Sequence, residues 1–136
     1  MKYYLILISI IISQLVFAQK PDVYPKYPGG MTAVAKYVSQ NINYPADLKE
    51  SGVEGLVVIE FTVDTTGSIT KTKVLRSAHP ELDQEALRLV SEMPKWEAGL
   101  KDGKKTPVKQ KLPINFKLSE EERKAVDQKL IEAAGQ

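Results

Sequence analysis

The chain has 136 residues, a length that fits one domain with a modest core. Its 19 basic and 17 acidic residues nearly balance, which argues against a nucleic-acid partner. It contains no cysteine, and this excludes a disulfide scaffold and thiol chemistry.

Residues 1–18 are typical of an export signal. Lys2 supplies a positive start, residues 3–17 are mostly apolar, and Val16-Phe17-Ala18 places small residues where signal peptidase requires them. The apolar stretch falls short of the roughly 20 residues that span a bilayer comfortably as a helix. We predict cleavage between Ala18 and Gln19 and a periplasmic or secreted location, with an uncleaved inner-membrane anchor as the alternative.

A linker and two helical segments follow. Residues 19–26 hold two prolines and no periodic pattern, and we expect order to begin only near Tyr27-Pro28. Apolar residues at helical spacing then predict an amphipathic helix that stops before Pro45. A second short helical turn is predicted from residue 46 to residue 50. The apolar face of the first helix comprises Met31, Val34, Ala35, Val38 and Ile42.

Two strands joined by a hairpin come next. Apolar residues at every second position predict one buried face on the first strand, formed by Val57, Ile59, Phe61 and Val63. Residues 64–67 form the hairpin loop, in which Gly67 can adopt the left-handed conformation. The second strand, from Ile69 to Arg76, lacks strict alternation, and a bulge near Lys71 would restore it.

A second amphipathic helix is predicted between Pro80 and Pro94. Acidic residues early in it, at 81, 83 and 85, suit a helix N-terminus and need only the helix dipole to explain them. Its buried stripe comprises Leu82, Ala86, Leu89, Val90 and Met93. Trp96 is expected to cover the core, and residues 101–105 are expected to form a solvated loop.

The last strand has the clearest two-residue period in the chain. Pro113 cannot donate a ladder hydrogen bond, and it therefore predicts an edge strand to which a partner strand could add. Its lysines suit an exposed edge and could also attract acidic segments. The candidate peptide-binding residues are Lys109, Gln110, Lys111, Leu112, Pro113, Ile114, Asn115, Phe116 and Lys117.

Residues 119–136 are predicted to form a helical tail. Ser119 and Glu122 have the spacing of a capping box. Val126, Leu130 and Ala133 or Ala134 give the tail a weak apolar face. Such a tail could cover the edge strand.

The sequence gives little support for catalysis. His79 is the single histidine, and we expect it to cap a helix or lie exposed, because no second His or Cys completes a catalytic group. We predict no catalytic residue, no metal, no cofactor and no small-molecule substrate. A small periplasmic hydrolase or inhibitor is the alternative from the enzyme class, and a functional role for His79 would be needed to revive the hydrolase.

One continuous block, Tyr27 to Leu118, contains several short motifs in a fixed order. Among them are Tyr27-Pro28-Gly29-Gly30, Asn43-Tyr44-Pro45, Met93-Pro94-Lys95-Trp96 and Leu112-Pro113-Ile114-Asn115-Phe116. Together they resemble the C-terminal domain of TonB-family energy transducers, in the form often seen in Bacteroidetes-type bacteria. The resemblance covers about two thirds of the chain.

The element pattern predicts an α+β fold with a small antiparallel sheet and helices on one face, and it leaves two strand orders open. The resemblance selects the order in which the third strand lies beside the first, with its other edge exposed. It also implies that residues 27–118 form the domain and that the helical tail is an addition.

In this family the domain binds an extended segment of an outer-membrane receptor by strand addition. The resemblance therefore implies a stand-alone exported module that catalyses nothing. Its expected partner is a TonB-dependent outer-membrane receptor or another periplasmic protein segment, and a homodimer is a further option. The alternative is a signal-anchored mini energy transducer in a membrane complex.

Overall fold

The computed structural model describes residues 22–135, so the predicted signal and its cleavage site lie outside the described part. None of the helices in that part combines the length and apolar character needed to cross a membrane. The elements, in chain order, are α1 (Gly30–Asn41), α2 (Ala46–Glu50), β1 (Gly55–Val63), β2 (Ile69–Arg76), α3 (Pro80–Ser91), β3 (Gly99–Lys101), β4 (Lys104–Thr106), β5 (Val108–Phe116) and α4 (Glu120–Ala134).

The main sheet has three antiparallel strands in the order β2-β1-β5. The predicted α+β class is confirmed, and so is the strand order that the resemblance selected. The pairing of β1 with β5 is regular from Gly55 opposite Phe116 to Val63 opposite Val108. Both termini of β5 are thereby fixed against the central strand.

The core lies between one face of this sheet and the helices. Alternate residues of β1 and β5 point inward and are almost fully buried, as the two-residue periods predicted. The stripe of α3 packs on β1 and β2, and Tyr37 of α1 donates a hydrogen bond to the Leu89 carbonyl at 2.8 Å. The largest fully buried side chains are Phe61, Phe116, Ile59, Leu82, Leu89, Ile114, Val34, Val57, Val63 and Val90.

Strand β2 carries two irregularities. Opposite Phe61 it has two residues, Lys71 and Thr72, and Lys71 has a positive φ of 52°. The predicted bulge near Lys71 is confirmed. A second register shift places Leu75 as an extra residue between the partners of Val58 and Ile59.

The turn between β1 and β2 is built by one carboxylate. Asp64 accepts hydrogen bonds from the N–H groups of Thr66 and Ser68, both at 2.9 Å. The hydroxyl of Thr66 also donates to this carboxylate, at 2.6 Å, and it contributes most to holding the pKa of Asp64 below its usual value, with the two N–H bonds adding to the effect. Gly67 has φ +82°, the left-handed conformation that the loop was predicted to need.

The expectations for residues 22–26 and 101–105 need correction. Val23 and Lys26 pair with Leu100 and Glu97, so order begins before Tyr27-Pro28. Residues 101–105 are no open loop, because β3 and β4 form a hairpin with Asp102 and Gly103 at its turn, both at positive φ. Asp-Gly is the preferred sequence of such tight turns.

The predicted C-terminal helix is present and begins at the predicted capping box. It docks on α2 and the start of β1, where Val126 is buried and the ion pairs Lys49–Glu122 and Arg123–Glu54 form. The rest of the expected apolar face is exposed, and Leu130 retains 61% of its accessible surface. A Cβ on Gly52 would lie 3.0 Å from Val126, which shows how closely α4 approaches α2.

Candidate functional site

Strand β5 forms one edge of the three-stranded sheet. Its inner side pairs with β1, and within residues 22–135 no strand pairs with its outer side. Of the nine candidate residues, Leu112, Ile114 and Phe116 point into the core, and Gln110 is half-buried on the same side. Lys109, Lys111, Pro113, Asn115 and Lys117 are exposed.

The hairpin fixes which backbone groups of β1 point toward β2. The N–H of Asp64 donates to the Ser68 carbonyl at 3.0 Å, so the backbone groups of Asp64 point toward β2. Backbone groups alternate in direction along a regular strand. Those of Thr62, Glu60 and Val58 therefore also point toward β2, and away from β5.

The direction of the β1 backbone groups determines which backbone groups of β5 point to its outer edge. Pro113 lies opposite Val58, so its nitrogen points away from β1, where a missing N–H breaks no ladder bond. By the same alternation, the N–H groups of Lys111 and Asn115 point to the open edge. The edge thus offers backbone donors on both sides of Pro113.

The opposite edge of the sheet is less suited to pairing. Strand β2 has two bulges, at Lys71 and Leu75, and each interrupts the ladder. Bulges and exposed lysines are common protections of edge strands. The outer edge of β5 is the regular one, because the strand is paired without register shifts along its whole length.

An apolar groove of about 440 Å³ runs beside this edge. One wall is formed by β5 from Leu112 to Asn115 and by Lys117 just after the strand, and the other is α1 with Ile42 and Tyr44 beyond it. Only Val34 of the predicted apolar face is fully buried, whereas Met31 is 65% exposed and Ala35 is exposed. The predicted apolar face of α1 is therefore only partly in the core, and much of it lines the groove. The helical spacing identified these apolar residues, but it could not distinguish those in the core from those that line the groove.

A smaller hollow of about 150 Å³ continues the groove beyond Met31 and Leu112. Gln110, Tyr27 and Trp96 contribute to its lining. Trp96 is 8% exposed and its ring packs edge-on against Tyr27 and Phe61, at centroid distances of 5.5 and 5.3 Å. Trp96 therefore covers the core, as predicted.

A charged pair on α3 holds the end of α1. Arg88 donates to both carboxylate oxygens of Glu85, at 2.6 and 2.9 Å, and to the Asn41 carbonyl at 2.8 Å. Glu85 also accepts the N–H of Asn43 at 2.7 Å. Burial alone would raise the pKa of Glu85, but these hydrogen bonds outweigh it and lower that pKa. The helix dipole was therefore an incomplete explanation of Glu85.

The solvent-facing side of β5 carries excess positive charge. Lys111 lies opposite Glu60, which also pairs with Lys73 on its other side. Lys109 lies opposite the uncharged Thr62. None of the described residues of α4 lines the groove, and none of residues 119–135 forms a strand that pairs with β5.

The arrangement around His79 is structural. Its Nδ1 accepts the N–H of Glu81 at 3.3 Å and caps α3, as predicted. The described residues contain no group of three or more His, Asp or Glu side chains able to hold a metal.

The sequence model of the family described as Gram-negative bacterial TonB protein C-terminal matches residues 40–118. The chain belongs to this TonB C-terminal domain family. The match ends at Leu118, directly before the capping box of α4. Among curated proteins, no significant match is found.

Solved structures agree with this assignment. Two solution NMR structures of the Helicobacter pylori TonB C-terminal domain are similar to the chain, each at 26% identity and each over 66% of its length. One is covered to 95% with a TM-score of 0.53, and the other to 81% with a TM-score of 0.51. The TonB C-terminal domain is a module of energy transduction that interacts with outer-membrane receptors, and its family is transport-associated and non-enzymatic.

Proposed function

We propose that this TonB C-terminal domain binds an extended peptide segment by strand addition to the outer edge of β5, from Lys109 to Lys117. The partner is a segment of a TonB-dependent outer-membrane receptor or of another periplasmic protein. The domain acts through binding and has no catalytic activity.

The observation that carries the proposal is the open, regular edge of β5. The outward N–H groups of Lys111 and Asn115 lack a ladder partner within the described chain, and strand addition would provide one. The groove beside this edge has room for alternate side chains of an added strand.

We further propose that residues 27–118 are the binding domain and that residues 119–136 are an accessory helix. The pairing of Val23 with Leu100 and of Lys26 with Glu97 extends the ordered unit slightly beyond this range. Export is proposed from the sequence of residues 1–18, with a mature protein that starts at Gln19 in the periplasm or outside the cell.

Intact-mass measurement of the native protein tests the export step. A mass that corresponds to a start at Gln19 supports the exported module. Recovery of the uncleaved chain in the inner-membrane fraction would instead favour the signal-anchored mini transducer.

An NMR titration with receptor-derived peptides tests the binding step. We expect amide shifts concentrated in residues 109–117 and in the facing residues of α1. Shifts confined to α3 and α4, with residues 109–117 unchanged, would contradict strand addition at β5.

A further inference from the structure

A strand added to β5 would have two faces. One would contact the apolar groove, and the other would lie beside exposed lysines. We propose that the site selects segments in which apolar residues alternate with acidic ones. This inference rests on the proposed strand addition, and it adds the side-chain pattern of the partner.

The inner face of an added strand is the apolar one. Side chains on that face would enter the groove between Leu112 and Ile114 of β5 and the exposed wall of α1. Met31 stands at the junction of the groove and the smaller hollow and is 65% exposed. An apolar side chain beside Met31 would remove apolar surface of both partners from water.

The outer face of an added strand is the acidic one. Its side chains would lie next to the solvent-facing residues of β5, of which Lys109 and Lys111 carry charge, and next to Lys117 just after the strand. Glu60 is the carboxylate opposite Lys111, and it is shared with Lys73, while Glu54 lies near Lys117. Lys109 faces Thr62 and has no carboxylate opposite it in the sheet, so it is the strongest attractor of an acidic residue.

The ladder couples these two preferences. Side chains of an added strand alternate between the face that carries the lysines and the face that points into the groove, whichever direction the strand takes. A segment that alternates apolar and acidic residues can satisfy both faces at once. A segment that has the same residues in two blocks cannot.

Three eight-residue peptides with blocked ends test the inference. The first alternates valine and glutamate, the second alternates valine and lysine, and the third has four valines followed by four glutamates. Dissociation constants are read from the amide shifts of Lys111 and Asn115. We expect the first peptide to bind about three- to tenfold more tightly than either of the others, as two or three favourable cross-strand pairs would give.

Substitutions in the domain test the apolar preference and the acidic preference separately. Met31→Gln should weaken the first peptide about threefold through the loss of apolar contact, whereas Thr32→Gln, an exposed neighbour outside the groove, should not. Lys109→Glu should reverse the preference between the glutamate and lysine peptides. Lys105→Glu, which changes the net charge equally on exposed β4, should leave that preference in place.

Salt provides an additional readout. The preference for glutamate over lysine should shrink as the ionic strength rises, while the preference for alternating over block order should persist. Equal affinity of all three peptides, with shifts in residues 109–117, would overturn this inference and leave strand addition standing. Failure of every peptide to shift residues 109–117 would contradict the inference together with the proposed function.

Discussion

Arg88 on α3 donates a hydrogen bond to the backbone carbonyl of Asn41 at 2.8 Å, and this contact fixes the C-terminal end of α1. The same guanidinium is bound to Glu85, whose carboxylate accepts the N–H of Asn43. Because α1 is one wall of the groove, a pair of side chains on the core helix sets the position of that wall.

Replacing Arg88 with methionine should therefore loosen the end of α1. We expect a measurable loss in the free energy of unfolding, because the variant removes the hydrogen bonds from the guanidinium to Glu85 and to the Asn41 carbonyl. Urea denaturation measures the loss, and hydrogen exchange at residues 41–44 locates it. Glu92→Gln removes only the exposed ion pair of Arg88 and should be nearly neutral. Equal effects of the two variants would contradict the role given to Arg88.

The stabilising contribution of the Glu85 carboxylate should depend on pH. Its pKa is lower in the folded chain than the ordinary value of 4.5, so its stabilising contribution is present above that value and is lost as the pH falls through the folded pKa. The stability difference between the wild type and Glu85→Gln should shrink below about pH 4.5. Denaturation curves at several pH values measure it, and a difference that stays constant would show that Glu85 is not linked to folding.

Gly67 should tolerate no side chain. A Cβ on Gly67 would lie 1.9 Å from the Trp96 carbonyl oxygen, and φ is +82°. Gly30 has a similar φ of +76° but nothing within 4 Å of such a Cβ, so it isolates the conformational strain from the clash. We expect Gly30→Ala to cost about 1–2 kcal/mol and Gly67→Ala clearly more. Equal losses in thermal or urea denaturation would mean that the contact with Trp96 is unimportant.

Removing α4 should leave peptide binding unchanged. The helix docks on α2 and the start of β1 through Val126 and two ion pairs, and none of its described residues lines the groove. A chain that ends at Leu118 should bind a receptor-derived peptide with wild-type affinity in calorimetry. Markedly tighter binding would indicate that the tail covers the edge in solution.

Local patterns were sufficient to predict most elements of this fold. The alternation in β1 and β5, the stripe of α3 and the capping box at Ser119 each depend on neighbours within a few residues, and the structure has all of them. The bulge at Lys71 could also be inferred, because the residues around it break the alternation within one strand.

Features that depend on distant residues were missed. Val23 pairs with Leu100, which is distant in the sequence, and no local sequence pattern predicts such a bridge. The side chain of Arg88 binds the backbone carbonyl of Asn41. Every residue has such a carbonyl, so the sequence does not indicate which one accepts the bond. The edge of β5 was predictable from Pro113, but its groove was not, because core and groove residues of α1 share one helical face.

The most direct test of strand addition compares two substitutions at Asn115. Asn115→Pro removes an N–H that points to the open edge, and the extended backbone of Ile114 is compatible with a following proline. Asn115→Ala changes the side chain but keeps that N–H. Both variants should fold, since the N–H takes no part in the ladder with β1, and their amide spectra check this.

In a calorimetric titration with a receptor-derived peptide, we expect Asn115→Ala to bind nearly as well as the wild type. Asn115→Pro should bind about tenfold more weakly, through a lost hydrogen bond and the steric bulk of the ring. Wild-type affinity of a folded Asn115→Pro variant would contradict the account.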